Sequence, residues 1–344
     1  MATKLQAQFP ATNALSKCGA PTFEEIFIRN DVVSLCLLLN RRARSMRVID
    51  FRAGASPAKR QFVQSIARKE GIEKIVALVE RDECATWSRL GFLREGNIPG
   101  FYKRSDAHIM GCVVPAIGEF AESPPRVRPG DSGIFTVGRH NAFISQADDD
   151  DDAPAPAASA AAEKTVVQAR KLARELAKAP LLPVKILQAT STEVGKRVLA
   201  ATKEHRALTG FEPFGRDITR EDHLVSSRGF SDLVIGAEVQ RCYNNAFVEV
   251  LTAPRDDRER GFLIAALHAT CEQLLAKEIV SAFGVTPADN VRMATAFAAN
   301  GFRRTGLLRQ HVRVQAARYS RESRNERADA ILWTRKLATL QGDE

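Results

Sequence analysis

The sequence predicts two α/β domains in tandem, each a mixed sheet flanked by helices. Three observations carry that expectation. A chain of 344 residues with 44% apolar side chains fits about two domains with real cores. Residues 147–163, ADDDDDAPAPAASAAAE, read as a linker, because consecutive aspartates repel one another and Ala/Pro stretches build no core. A strand–loop–helix unit with a Gly-Phe exit occurs twice, as IVSAFGVTPADNVRMATAFAANGF over 279–302 and, shorter, as IVALVERDECATWSRLGF over 75–92. Each copy runs on into a polar strand pair, closing on Asp106-Ala107-His108-Ile109-Met110 or on Asp329-Ala330-Ile331-Leu332-Trp333. A repeated unit points to duplicated domains, bounded here as 1–146, a linker 147–165, and 166–344.

In the first domain, Phe23–Arg29 reads as a strand, and Val32–Leu39 with Met46–Arg52 as a hairpin around Arg41–Ser45. Ser56 followed by Pro57 gives a helix start, and Ala58–Lys69 places Phe62, Val63, Ile66 and Ala67 on one face. Gly71 ends that helix, and 72–79 is a β-rich run. Pro124–Gly138 is rich in Pro and Gly and reads as irregular. In the second domain, Val166–Lys178 has helical spacing and reads as a connecting helix. Val184–Gln188 reads as a strand, and Thr190–Glu193 caps a helix reaching about His205. Strands follow at Leu233–Gln240 and Ala246–Ala253. A helix Phe262–Leu275, a strand Ile279–Phe283, a helix Val291–Asn300 and strands at Leu307–Val314 and Asp329–Trp333 complete the order.

Composition narrows the function classes. The six cysteines are scattered without a CxxC pair, which indicates neither a zinc knuckle nor a disulfide framework. No metal ligand set is read from the sequence, the Asp run being too flexible to fix coordination geometry. The first twenty residues carry no apolar signal core. No apolar run nears the roughly 20 residues that span a bilayer. These features lead to the expectation of a cytoplasmic protein with no membrane partner. The net charge of +9 attracts anions. The arginine-rich stretch 303–327 has one Tyr and neither Phe nor Trp, which argues against nucleic acid held by base stacking.

The chemistry centres on residues 248–262. An apolar strand, Val248–Ala253, runs into the charged turn Arg255-Asp256-Asp257-Arg258-Glu259-Arg260-Gly261, and an apolar helix is expected to open at Phe262. Unpaired N–H groups at a helix start can hold phosphate. Together with the repeated block, this stretch resembles the GCN5-related N-acetyltransferase (GNAT) family. Arg258-x-x-Gly261 matches the first half of the family's pyrophosphate pattern, Arg/Gln-x-x-Gly-x-Gly/Ala, while Leu263 stands where a small residue is usual. Asn290, eleven residues before Gly301-Phe302, matches the Asn that opens the next helix. The family's tyrosine, often the acid that protonates the leaving thiolate, is Phe297 here. The same count in the first domain reaches Glu80 and Trp87, so that copy departs from the pattern.

The resemblance implies two GNAT-like domains with mixed, mostly antiparallel sheets, the first degenerate. It implies acetyl-CoA as cosubstrate, held by Leu251, Arg258, Arg260, Gly261, Phe262 and Asn290. It also implies a primary amine acceptor, on a small molecule or a protein. The chain's ending looks somewhat like β-lysine acetyltransferases, which favours a small amine. Glu249, a carboxylate inside an otherwise apolar strand, is the candidate base, since burial raises a carboxyl pKa. His311 and His268 are weaker candidates. The rival expectation is a non-catalytic sensor or scaffold that keeps the fold and binds coenzyme A or a partner protein. The two domains are expected to pack as an intramolecular pseudo-dimer.

Overall fold

The computed structural model describes residues 24–29, 34–41, 44–50, 56–114, 157–204, 206–208, 219–313 and 327–338. Residues 115–156, with Pro124–Gly138 and the Asp run of the linker, lie outside them, as do 314–326.

The N-terminal half is built from β1 (Glu24–Arg29), β2 (Ser34–Asn40), β3 (Ser45–Asp50), α1 (Pro57–Lys69), β4 (Lys74–Val79), α2 (Cys84–Arg89), β5 (Leu93–Ile98) and β6 (Ala107–Val113). The C-terminal half adds α3 (Ala157–Leu176), β7 (Lys185–Gln188), α4 (Ser191–Lys203), β8 (Thr219–Ser226), β9 (Leu233–Gln240) and β10 (Asn245–Val250). It ends with α5 (Asp257–Ala276), β11 (Ser281–Pro287), α6 (Val291–Ala299), β12 (Arg303–Arg313) and β13 (Arg327–Lys336).

All thirteen strands join one sheet, in the order β1-β2-β3-β4-β6-β5-β12-β13-β11-β10-β9-β8-β7. From either edge inward the order is the same: antiparallel neighbours, one parallel pair, then the last strand ahead of the penultimate one. The parallel pairs are β3 with β4 and β10 with β11. Each half is therefore a GNAT-like mixed sheet, mostly antiparallel and flanked by helices.

Period-2 and period-3.6 patterning put α1 and α2 on one face of the N-terminal half and α5 and α6 on one face of the C-terminal half, while α4 packs on Val234 on the other face of β9. Val63 and Ala67 of α1 and Trp87 of α2 pack on Ile75 and Ala77 of β4. Phe262, Ala266, Met293 and Phe297 of α5 and α6 pack on Ile235, Ala237 and Val248. The opposite sheet faces share a third cluster. Val76, Ile98, Phe101 and Ile109 from the N-terminal half meet Phe247, Phe283, Leu308 and Leu332 from the C-terminal half.

The two half-sheets join where Gly96 of β5 faces Gly306 of β12. A Cβ on Gly306 would lie 2.6 Å from the Gly96 Cα and 2.6 Å from the Glu95 carbonyl oxygen. Only hydrogen at both positions lets the backbones approach this closely. Beside the join, Lys74 and Glu95 form a buried ion pair at 2.5 Å, and Asn245 Nδ2 donates to the Phe101 carbonyl at 3.0 Å.

Three elements differ from expectation. Helix α3 opens at Ala157, inside the stretch expected as linker up to 165, and Ala162 and Val166 are buried in the C-terminal core. Helix α5 opens at Asp257, not at Phe262, because Asp256 caps it by accepting from Glu259 N–H at 2.8 Å. Strand β8, TREDHLVS, is an element the sequence reading lacks; Arg220 forms ion pairs within the sheet, and Glu221 pairs with Lys277 at the end of α5.

Gly306→Val is expected to destabilise the whole chain by roughly 3 kcal/mol, the scale of a severe overpacking. Gly261→Ala, where an added Cβ meets nothing within 4 Å, should stay neutral or gain up to about 1 kcal/mol from helix propensity. Urea unfolding of both variants separates the two outcomes; equal stabilities would show that the join tolerates side chains.

Candidate active site

The parallel pair β10–β11 sets the frame of the site. Its pairing covers only Asn245–Phe247 against Ser281–Phe283, and beyond Phe247 the two strands part. At the apex a Cβ on Gly284 would stand 2.6 Å from the Val248 carbonyl oxygen and 2.7 Å from the Phe297 ring. Glycine here lets β11 and α6 close tightly on β10. Phe297, at the position the family resemblance gives to a tyrosine, is sealed from solvent. It packs on Phe302 with centroids 5.0 Å apart and on Trp333 at 6.3 Å. It fills core and has no proton to give.

The strand β10 leads to the start of α5. The corrected helix start moves the free N–H groups toward Asp257 and Arg258, since Arg260 N–H already donates to the Asp256 carbonyl at 3.0 Å. Phe262 lies in the second turn with its ring fully buried. Leu251 N–H donates to the Val234 carbonyl at 3.1 Å, and its side chain is buried with Val194, Val198 and Val234. Gly261 is partly exposed with open space at its Cβ position.

Arg258 lies over the Phe230 ring at 4.7 Å. Arg260 donates to Asp257 at 2.9 Å. Asn290 caps α6, its side-chain oxygen accepting from Met293 N–H at 3.0 Å. Arg260 and Asn290 line one cleft of about 560 Å³ with Asp257 and Arg292 of α5 and α6, and with Gln168 of α3. Of the six cofactor candidates, the structure brings these two together; Leu251, Arg258, Gly261 and Phe262 do not line that cleft.

Glu249 sits on β10 with its side chain 5% exposed and accepts from Arg220 Nη2 at 2.7 Å. It belongs to a four-residue cluster. Asp222, Gly236 and Glu249 are register partners across β8, β9 and β10. Glu238 stands opposite Arg220. The guanidinium crosses over Gly236, where a Cβ would lie 2.7 Å from its nitrogen. It reaches Glu238 and Asp222 at 3.1 Å each as well as Glu249. Burial lowers the Arg220 pKa, but the three carboxylates outweigh it and raise the value above normal.

Because one guanidinium serves three carboxylates, its pull on Glu238 does not offset burial. The Glu238 carboxyl is pushed up to about 7, by desolvation first and by the Glu249 charge in addition. Its Oε2 is sealed from solvent and meets no hydrogen-bond partner. Glu238, which the sequence reading passed over, therefore has the value a base near neutral pH needs. The signal was present in LVIGAEVQ: a carboxylate in an apolar strand, as at Glu249. Burial holds the His311 imidazole well below its usual value.

In the N-terminal half the equivalent strands, β3 and β4, pair over Ser45–Val48 with Lys74–Ala77. There Asp50 at the strand end and Lys59 in α1 close the gap with a buried ion pair at 2.6 Å. Among the described residues no group of three or more His, Cys, Asp or Glu could hold a metal, and no helix is long and apolar enough to cross a membrane.

No family model matches the chain, and no curated protein does. Among solved structures, it is similar to the ribosomal-protein-S18-alanine N-acetyltransferase from Escherichia coli, at 14% identity and a TM-score of 0.32, over 47% of this chain and 99% of that one. It is also similar to a spermidine N-acetyltransferase from Vibrio cholerae, at 8% identity and a TM-score of 0.35, over 45% and 94%. The strand order and the splayed parallel pair make the fold assignment without help from those scores.

Glu238 gives a pH signature. With a raised folded value, the native state keeps a proton that the unfolded chain has lost between the ordinary carboxylate range and about 7. Its contribution is present below that window and is lost as pH rises through it. Glu238→Gln should remove this decline, so the variant gains on the wild type, by on the order of 2 kcal/mol, between pH 4.5 and 7.5. Urea unfolding across that range measures it; parallel stability profiles would place the Glu238 value in the ordinary range.

Proposed function

We propose that the C-terminal half binds acetyl-CoA in the wedge between β10 and β11 and transfers the acetyl group to a primary amine of a small molecule or a protein. The observation that supports this most is the splay of β10 from β11 beyond Phe247 and Phe283. That wedge opens towards the first turn of α5, where Arg258 and Arg260 stand. Arg260 and Asn290 on one cleft supply a cation and a polar cap beside it. Glu238 and Glu249 are the carboxylates for deprotonating the ammonium, Glu238 as the base and Glu249 as the neighbour that raises its pKa. The amine nitrogen attacks the thioester carbonyl carbon, the C–S bond breaks, the nitrogen gives up its extra proton to water as the amide forms, and coenzyme A leaves as thiolate, with no acid at position 297. We place this activity in the cytoplasm, where cysteines stay reduced.

The N-terminal half is the intramolecular partner in this reading, a pseudo-dimer half without a cofactor site of its own. Its Lys59–Asp50 pair occupies the matching gap.

A second reading, a sensor or scaffold that binds coenzyme A without turnover, is favoured by two observations. Phe297 is buried in the core, and the first turn of α5 is already capped by Asp256. Calorimetry with acetyl-CoA, followed by thiol release over a panel of amines including spermidine, separates the readings. The transferase reading expects binding and thiol release, with Gly261→Trp weakening binding about tenfold or more if the turn cradles phosphate. Binding without thiol release favours the sensor. No heat at millimolar acetyl-CoA with folded protein overturns both.

A further inference from the structure

At the opposite end of β11 from the wedge lies a cavity of about 710 Å³ where the two halves meet. The turn after β5, the first residues of β11 and β12, and the last of β13 enclose it. Along β11, Ser281 in the cavity wall and Gly284 at the apex of the wedge are three residues apart, roughly 10 Å at the usual rise per residue. Five cations line the cavity: Lys103 from the N-terminal half, and Arg303, Arg304, Arg335 and Lys336 from the C-terminal half. None of its lining residues carries a carboxylate. Arg304 pairs with Glu163 from outside the cavity.

A second observation is independent of that charge. Ser281, which lines the cavity, is 8% exposed, and its hydroxyl is sealed from solvent without a hydrogen-bond partner. The Thr305 hydroxyl in the same wall is also unpartnered. An unmade buried hydrogen bond costs about 1–3 kcal/mol, so either hydroxyl gains by rotating toward a phosphate oxygen held by the cations of the same wall.

We propose that this junction cavity binds a small anion bearing a diphosphate or triphosphate group, of nucleotide size. Guanidinium forks and an ammonium match phosphate oxygens, and hydroxyls donate to the same oxygens. A volume near 700 Å³ falls in the range of small-molecule sites. Both halves contribute, so the ligand bridges the join. This site is separate from the acetyl-CoA wedge and does not depend on the acetyltransferase reading.

The test is calorimetry of the full chain with inorganic pyrophosphate, then with ADP, with and without saturating coenzyme A. One bound pyrophosphate per chain is expected, and coenzyme A in the wedge should leave it in place. Lys103→Gln and Arg303→Gln, both exposed side chains, should each weaken binding about fivefold or more. Arg258→Gln, an equal charge loss at the wedge, should change it less than twofold. Ser281→Ala should weaken binding severalfold without lowering the melting temperature, which a merely structural hydroxyl would not do. The proposal is overturned by no heat at millimolar pyrophosphate, by equal losses in the three charge variants, or by displacement with coenzyme A that Arg258→Gln abolishes.

Discussion

The close approach of Gly96 and Gly306 is the constraint on which the rest of the structure depends. Two sheets with exposed edges would each invite foreign pairing. Here the edge strands β5 and β12 meet each other. The contact is brief, but it fixes where the faces opposite α1, α2, α5 and α6 lie. Those faces bury Phe101, Phe247 and Phe283 together, with Phe101 and Phe283 rings 5.8 Å apart. The Tyr102 and Tyr243 rings follow at 5.3 Å. Arg327, from the last strand, donates to Glu73 at 3.0 Å and to the Arg44 carbonyl at 3.0 Å, closing the same side. The buried Lys74–Glu95 pair belongs to this join. Such a pair adds little net stability because desolvation offsets the attraction, but breaking it leaves a buried charge, so it penalises any other register.

The wedge and the carboxylate cluster follow from glycines used in the same way. Gly284 lets Phe297 sit against β11, and Gly236 opens the floor on which Arg220 lies. The chemistry of the site is thus set by absent side chains as much as by present ones. A missing Cβ brings a guanidinium to three carboxylates, and that crowding leaves Glu238 with a raised pKa.

Much of the fold was legible in the sequence. The duplicated block, the Gly-Phe exits and the caps at Ser56, Thr190 and Asn290 all correspond to elements with the expected roles. Strand β8 was not legible, because Arg220, Glu221, Asp222 and His223 read as a solvated loop when the partners of Arg220 on β9 and β10, and of Glu221 after the end of α5, are unknown. The start of α5 was misread by one and a half turns. Its first turn is charged, so hydrophobic periodicity begins only at Phe262, while Asp256 sets the true start. The Gly96–Gly306 contact joins residues 210 positions apart, which no local pattern encodes. In the candidate site, Glu249 was found by its position in an apolar strand. The equivalent signal at Glu238 gained meaning only once Arg220 was seen to be shared.

The central claim is that one continuous sheet makes the two halves a single folding unit. The chain's two tryptophans report it directly, since Trp87 is buried in the N-terminal core and Trp333 in the C-terminal core. Single-tryptophan variants, Trp87→Phe and Trp333→Phe, allow each half to be followed by fluorescence during urea unfolding of the whole chain. The account predicts one midpoint and one slope from both probes in matched variants, as for a cooperative two-state unit. Two separated transitions, each with the slope of a half-sized domain, would contradict it.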